Sequence, residues 1–157
     1  MSLMEVSPTF LYSSVWNFIS DLLSTGTANI FINDDGFAYL SEDQQQERIN
    51  FYHDNNIGWV ARPKNNDDGY VRKGKFKKAS NMNFALNVSN KIERELIAKL
   101  AATLEKSDLV DPVEEEAVYQ QALGEVCQAD PRIKGAGGDI RVGEIILLVD
   151  SDTRVVS

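Results

Sequence analysis

Cysteine and histidine are nearly absent: the 157 residues hold one of each, Cys127 and His53. A single cysteine cannot close an internal disulfide, and one Cys with one His cannot assemble a zinc cluster, so a disulfide scaffold and a zinc finger are both excluded. Positive charge is scarce as well. Sixteen Lys and Arg stand against 24 Asp and Glu, a net charge of −8, which speaks against a general nucleic-acid footprint and against attraction to acidic lipid headgroups. Long apolar runs are missing too. The densest, Ile145 to Val149, falls far short of the roughly 20 residues that a membrane-spanning helix needs. No basic stretch followed by an unbroken apolar run opens the chain, so no secretory signal is read there. What is present, 43% hydrophobic and 25% charged residues, is the balance of a soluble globular chain with room for one domain.

Periodicity divides the chain into helix-like and strand-like segments. Leu11, Val15, Phe18, Ile19 and Leu22 share a helical spacing and predict a helix over 10–23. Ile30-Phe31-Ile32 predict a short strand that stops at Asn33-Asp34-Asp35-Gly36. Ser41, with Gln44 three residues on, forms a capping-box pair that opens a helix running to about His53. Ile57 to Ala61 reads as a buried strand closed by Arg62-Pro63, and a polar loop with a dense basic run follows. From about Lys77 to Leu104, Ile92, Leu96, Leu100 and Leu104 lie on one helical face. A further helix over 113–128 begins with Glu114, Glu115 and Glu116, acids that suit the positive end of a helix dipole. Gly135-Ala136-Gly137-Gly138 predicts a turn, and Glu144 to Val149 a last strand ending in Asp150-Ser151-Asp152.

This order is that of an α/β fold with a largely parallel sheet, and strands that are continuous apolar runs fit a sheet covered on both faces. Such sheets bind ligands beyond the carboxyl ends of their strands. Two strand ends here carry paired acids, Asp34-Asp35 and Asp150-Asp152. Asp150 and Asp152 place two carboxylates where one hard divalent cation, magnesium or manganese, could bridge them to a diphosphate; many copies of D-x-D are plain solvated turns. On its own residues Asn33 to Gly36 reads first as an Asp-Gly hairpin turn with Phe37 to Leu40 as the returning strand, ahead of a strand-end carboxylate accepting from a base or ribose. Arg72, Lys73, Lys75, Lys77 and Lys78 read as a solvated loop, as a screen for phosphates, or, least in keeping with the net charge, as an RNA contact. Ser13, Ser14 and His53 form no nucleophile–base–acid set, and His53 reads as the polar end of a helix.

Taken in order, IFINDDG, NIGWVARPK, GKFKKASNMN and GEIILLVDSDTRV resemble family 2 glycosyltransferases, and in particular their fungal, cellulose-synthase-like members. The resemblance runs from about residue 11 to 155. It implies a Rossmann-like GT-A nucleotide-diphospho-sugar transferase fold. One aspartate of Asp34 and Asp35, by preference Asp35, would contact the uracil or ribose of a UDP-sugar. Lys78, Asn81 and Asn83, in the block that resembles KAGNLN with Ser80 in place of a glycine, would border the nucleotide and its diphosphate. Asp150 and Asp152 would be the DxD acids, holding Mg2+ or Mn2+ on the donor. The reaction implied is inverting transfer of the sugar to a glycan or other hydroxyl acceptor. The chain departs from the pattern at both ends. It stops five residues past the DxD acids, without the general-base aspartate, the Q-x-x-R-W block, or the membrane helices of full-length relatives. MSLMEVSPTF supplies no first strand of the P-x-Y-x-E type. The expectation is an incomplete GT-A domain over residues 1–157: a donor-binding half with no catalytic residue of its own and no membrane segment, on the cytoplasmic face. The alternative from another class is a non-catalytic α/β interaction module that self-associates or pairs with a partner chain.

Overall fold

The computed structural model describes residues 29–73, 78–104, 111–143 and 145–148. Residues 31–142 form one unit, and 1–30 and 143–157 fall outside it. In chain order the described elements are β1 (Ile30–Asp34), a 3-10 turn (Phe37–Tyr39), α1 (Glu42–Asp54), β2 (Ile57–Ala61), α2 (Lys78–Leu104), α3 (Pro112–Ala129) and β3 (Gly135–Gly137). The fold is mixed α/β. The sheet runs β1-β2-β3, with β1 and β2 parallel across the α1 crossover, as parallel strands require a long connection. β2 and β3 are antiparallel, pairing Trp59 with Gly137, Val60 with Ala136 and Ala61 with Gly135. Among the described residues the sheet therefore holds one parallel and one antiparallel pairing, where the segment order alone predicts a largely parallel one.

The helix starts follow from local chemistry. The Ser41 hydroxyl accepts from the Gln44 N–H while the Gln44 side chain accepts from the Ser41 N–H, so two donors that a helix N-terminus leaves free are satisfied reciprocally. Asp111 caps α3 by accepting from the N–H groups of Val113 and Glu114, with Pro112 at the first position, where its missing N–H costs nothing.

Every residue of β2 is buried, and strand alternation sends its side chains into two different layers. On one face Trp59 packs against Phe37 (ring centroids 4.9 Å apart) and Tyr52 of α1 (5.5 Å). On the other, Val60 joins Ala85, Val88, Ile92 and Leu96 of α2, Tyr119, Ala122 and Leu123 of α3, and Ile133 and Ile140. Covering both faces is why this strand is apolar throughout instead of alternating. Tyr119 pins the far side of this core: its hydroxyl donates to the Gly138 carbonyl (3.1 Å) and accepts from the Ile140 N–H (2.9 Å). Burial pushes that hydroxyl's pKa up to about 12. The Ser89 hydroxyl donates to the Ile140 carbonyl (2.7 Å), so both helices hold the 138–140 backbone.

Three local expectations are corrected. No strand returns after Asp34-Asp35-Gly36: Phe37–Tyr39 is a 3-10 turn. The Asp34 carboxylate accepts from the N–H groups of Gly36 and Phe37, and Gly36 keeps a φ of −95°, not the positive value of a two-residue hairpin loop. Gly135–Gly137 is a strand, not a turn. Its glycines are there for space, since a Cβ at Gly135 would lie 2.6 Å from the Trp59 ring and one at Gly137 2.9 Å from it. Residues 145–148, read as the middle of a strand, carry no strand ladder, because a strand exists only through a neighbour's backbone groups, which an apolar run does not itself supply. The helix expected over 10–23 lies outside the described residues, as do Glu144, Val149, Asp150 and Asp152.

Two glycine substitutions separate space from propensity. A Cβ at Gly58 would sit 1.8 Å from the Asp139 carbonyl oxygen, whereas one at Gly124, inside α3, meets nothing within 4 Å. Gly58→Ala is expected to destabilise the fold by at least the ~1–3 kcal/mol typical of overpacking. Gly124→Ala is expected to stabilise it by about 0.5–1 kcal/mol. Urea midpoints measured at constant slope check both.

Candidate functional site

Because β1 and β2 are parallel, their carboxyl ends open on the same side, where an α/β sheet places its ligands. Asn33, Asp34 and Asp35 close β1, Arg62 and Pro63 follow β2, Tyr70 and Arg72 come in on the next loop, and the first turn of α2 brings Lys78 and Asn81. The Asn81 amide donates to the Asn33 carbonyl at 3.0 Å, tying the start of α2 to the end of β1.

The two adjacent aspartates have different environments. Asp34 is buried, its side chain 5% exposed. It accepts from the Gly36 and Phe37 N–H groups, from Arg48 (3.1 Å) and from the Tyr52 hydroxyl (2.8 Å). Four donors use up the capacity of a carboxylate, so Asp34 is a structural hub. Burial first, then the Asp34 charge, pushes the Tyr52 hydroxyl far above the ordinary phenol range, which keeps it a donor. Asp35 is 52% exposed, and one of its oxygens lies 3.4 Å from Arg62 Nη2 and 3.5 Å from Arg72 Nη2.

Arg62 is the unusual group. Its side chain is 1% exposed, Nη1 donates to the Pro63 carbonyl at 2.7 Å, and the guanidinium lies over the Tyr70 ring, 5.3 Å from its centroid. Tyr70 in turn meets Phe84 of α2 edge-on. Four buried side-chain polar atoms among the described residues have no hydrogen-bond partner: Asn33 Oδ1, Arg62 Nε, Tyr70 Oη and Arg72 Nε. All four belong to this one strand-end cluster. Each such atom costs about 1–3 kcal/mol when left unsatisfied, and folded proteins keep few of them, so their concentration sets this cluster apart from the other described residues. Three arginines (48, 62 and 72) face two aspartates there, an excess of positive charge on an acidic chain.

Of the residues singled out from sequence, Asp34, Asp35, Asn81 and, from the basic run, Arg72 converge on this cluster. Lys78 is exposed at the first position of α2 and Asn83 is exposed two positions beyond Asn81. Asp150 and Asp152 lie outside the described residues. Arg62, Tyr70 and Asn33 were not foreseen. The one available signal was an arginine closing an otherwise wholly apolar strand, which reads as a stop.

Two broader depressions lie elsewhere. One, of about 530 Å³, is lined by Lys64, Asp68 and Lys134 among others, and its Lys134 and Asp68 pair at 2.7 Å. The other, of about 510 Å³, lies between α2 and α3 around Asp130, which Lys91 (2.8 Å) and Arg132 (2.7 Å) clamp. The Arg132 hydrogen bond, chief among several, holds the Asp130 carboxyl well below the usual range. Each depression thus holds a close ion pair. His53 is exposed beside Asp54 at the end of α1, and burial pushes the Cys127 thiol up, away from reactivity. Among the described residues no group of three or more His, Cys, Asp or Glu gathers to hold a metal ion, and no helix is long and apolar enough to cross a membrane.

No family model matches the chain, and neither a curated protein nor a solved structure matches it.

The different environments of the two aspartates give an expected outcome. Asp34→Asn should cost about 2–4 kcal/mol, since it breaks a buried pair and turns a donor toward donors. Asp35→Asn, at a half-exposed position, should cost no more than about 1 kcal/mol. Chemical denaturation of the two variants reads the difference directly.

Proposed function

We propose that the chain is the donor-nucleotide half of a family 2 glycosyltransferase with the GT-A fold, taking a UDP-sugar whose sugar passes, with inversion, to a glycan or other hydroxyl acceptor. The observation that carries this reading is the strand-end cluster: four unpartnered buried polar atoms and a surplus guanidinium at the carboxyl ends of two parallel strands. It forms where the NDDG and FKKASNMN blocks of the resemblance meet, through the Asn81–Asn33 hydrogen bond.

On this reading the exposed Asp35 carboxylate accepts from the base or ribose, Lys78 and Asn81 border the diphosphate, and Asn83 extends that border along α2. Asp34 supports the site from beneath. The described residues themselves do not fit a divalent cation: the Asp34 carboxylate is saturated and Asp35 lies between two guanidiniums. The resemblance leaves Mg2+ or Mn2+ with Asp150 and Asp152, and the roles of Asp35, Lys78 and Asn81 stand without it. On this reading the described residues contribute donor binding.

Calorimetric titration of UDP into the full chain, with and without manganese, tests the reading. Manganese should strengthen binding, and binding should weaken roughly tenfold or more in Asp35→Ala, which removes a charge-assisted hydrogen bond, and in the Asp150→Ala/Asp152→Ala double variant. A folded chain that ignores UDP with and without manganese, and runs as a defined oligomer by light scattering, would refute it and indicate an interaction module.

A further inference from the structure

The two arginines that flank Asp35 are engaged in the same incomplete way. A guanidinium recognises an oxyanion best through its Nε–Nη2 edge, which offers two parallel N–H donors. In both Arg62 and Arg72, Nη2 reaches a single Asp35 oxygen at the long distances of 3.4 and 3.5 Å, while the neighbouring Nε is buried and has no partner. One carboxylate oxygen shared between two forks uses one N–H of each. The Tyr70 hydroxyl beside them is also buried and unpartnered. A buried cation is costly unless it is both paired and hydrogen-bonded, and a half-exposed carboxylate meets that need for Arg62 only in part.

A phosphoryl group has the complementary chemistry. Its several oxygens can fill both forks and still accept from a hydroxyl, and a diphosphate carries more charge than a single carboxylate. We propose that Arg62, Arg72 and Tyr70 form an oxyanion site for a phosphoryl or diphosphate group, and that Asp35 is the internal anion which that group displaces. Displacement turns the Asp35 carboxylate loose to accept from a donor on the same ligand. Phosphate recognition and nucleoside recognition thereby become one coupled event, and the coupling is reciprocal. The carrier of the diphosphate rests on the donor-binding reading above; the oxyanion site itself does not. The loop supports this role. The Arg72 N–H is held by Asn65 Oδ1 at 2.8 Å, and the left-handed residues Asn66, Asp68 and Gly69 fold the intervening chain back so that Arg72 returns to the end of β2.

The test is calorimetric titration of sodium pyrophosphate into the full chain at low ionic strength with a chelator present. One-to-one binding is expected. Arg72→Gln should weaken it roughly tenfold or more, and Tyr70→Phe by about two- to tenfold, as loss of a charged and a neutral hydrogen bond dictates. Arg72 carries the test because its side chain is 25% exposed, whereas a substitution at buried Arg62 threatens folding. Asp35→Asn is the sharpest variant: removing the internal competitor should strengthen pyrophosphate binding. A folded chain that does not bind pyrophosphate, binding indifferent to Arg72→Gln, or weaker binding in Asp35→Asn would each overturn the proposal. Pyrophosphate binding with these variant effects, but no further gain from UDP, would uphold the oxyanion site and remove the nucleotide reading. Manganese-dependent UDP binding with no response to pyrophosphate or to Arg72→Gln would do the reverse.

Discussion

The Arg62 guanidinium sits at the end of β2, the one described strand that is buried on both faces, and its charge has to be met there by groups carried on other elements. β2 cannot supply them, since everything before Arg62 in that strand is apolar core. The partners come from the β1 terminus (Asp35), from the backbone of the following residue (Pro63) and from the loop beyond (the Tyr70 ring). One buried cation thus fixes the relation between β1, β2 and the loop, and Phe84 against Tyr70 joins α2 to them. The strand-end cluster is the geometric consequence of packing a charged residue where the sheet stops.

The adjacent aspartates divide the work of that end. Asp34 has its four donors from the turn that follows it and from α1, and this saturation is what allows a carboxylate to be buried at all. Asp35, one residue on and just past the end of β1, meets solvent and two arginines. An acid pair that looks uniform in sequence is therefore one structural carboxylate and one available carboxylate. The availability of Asp35 depends on Asp34 holding the turn beneath it.

Much of this fold is legible in the residues. The Ser41–Gln44 capping box, the unbroken IGWVA run and the 3.6-residue spacing of Ile92, Leu96 and Leu100 each report a local preference that tertiary structure leaves intact. The failures occur where tertiary contacts override local chemistry. Gly135 and Gly137 look like turn formers, yet they are strand because the Trp59 indole needs bare backbone opposite it. Gly36 looks like a hairpin residue, yet the Asp34 carboxylate draws its N–H into a 3-10 turn. The site divides in the same manner. Asp35 and Asn81 were visible as motif residues, whereas Arg62 and Tyr70 gain meaning only when a loop of mixed polarity folds back over a strand end, an event with no periodicity to announce it.

The central claim, that the strand-end arginines and Asp35 receive a nucleoside diphosphate, is tested most directly at the Nε–H protons of Arg62 and Arg72. Nitrogen-15 spectra of the arginine side chains, recorded as UDP with manganese's diamagnetic counterpart magnesium is added, report on these two donors individually. The account predicts that both Nε–H signals move downfield and become protected from solvent exchange as UDP saturates the chain. Signals that stay in place while UDP binds would contradict it.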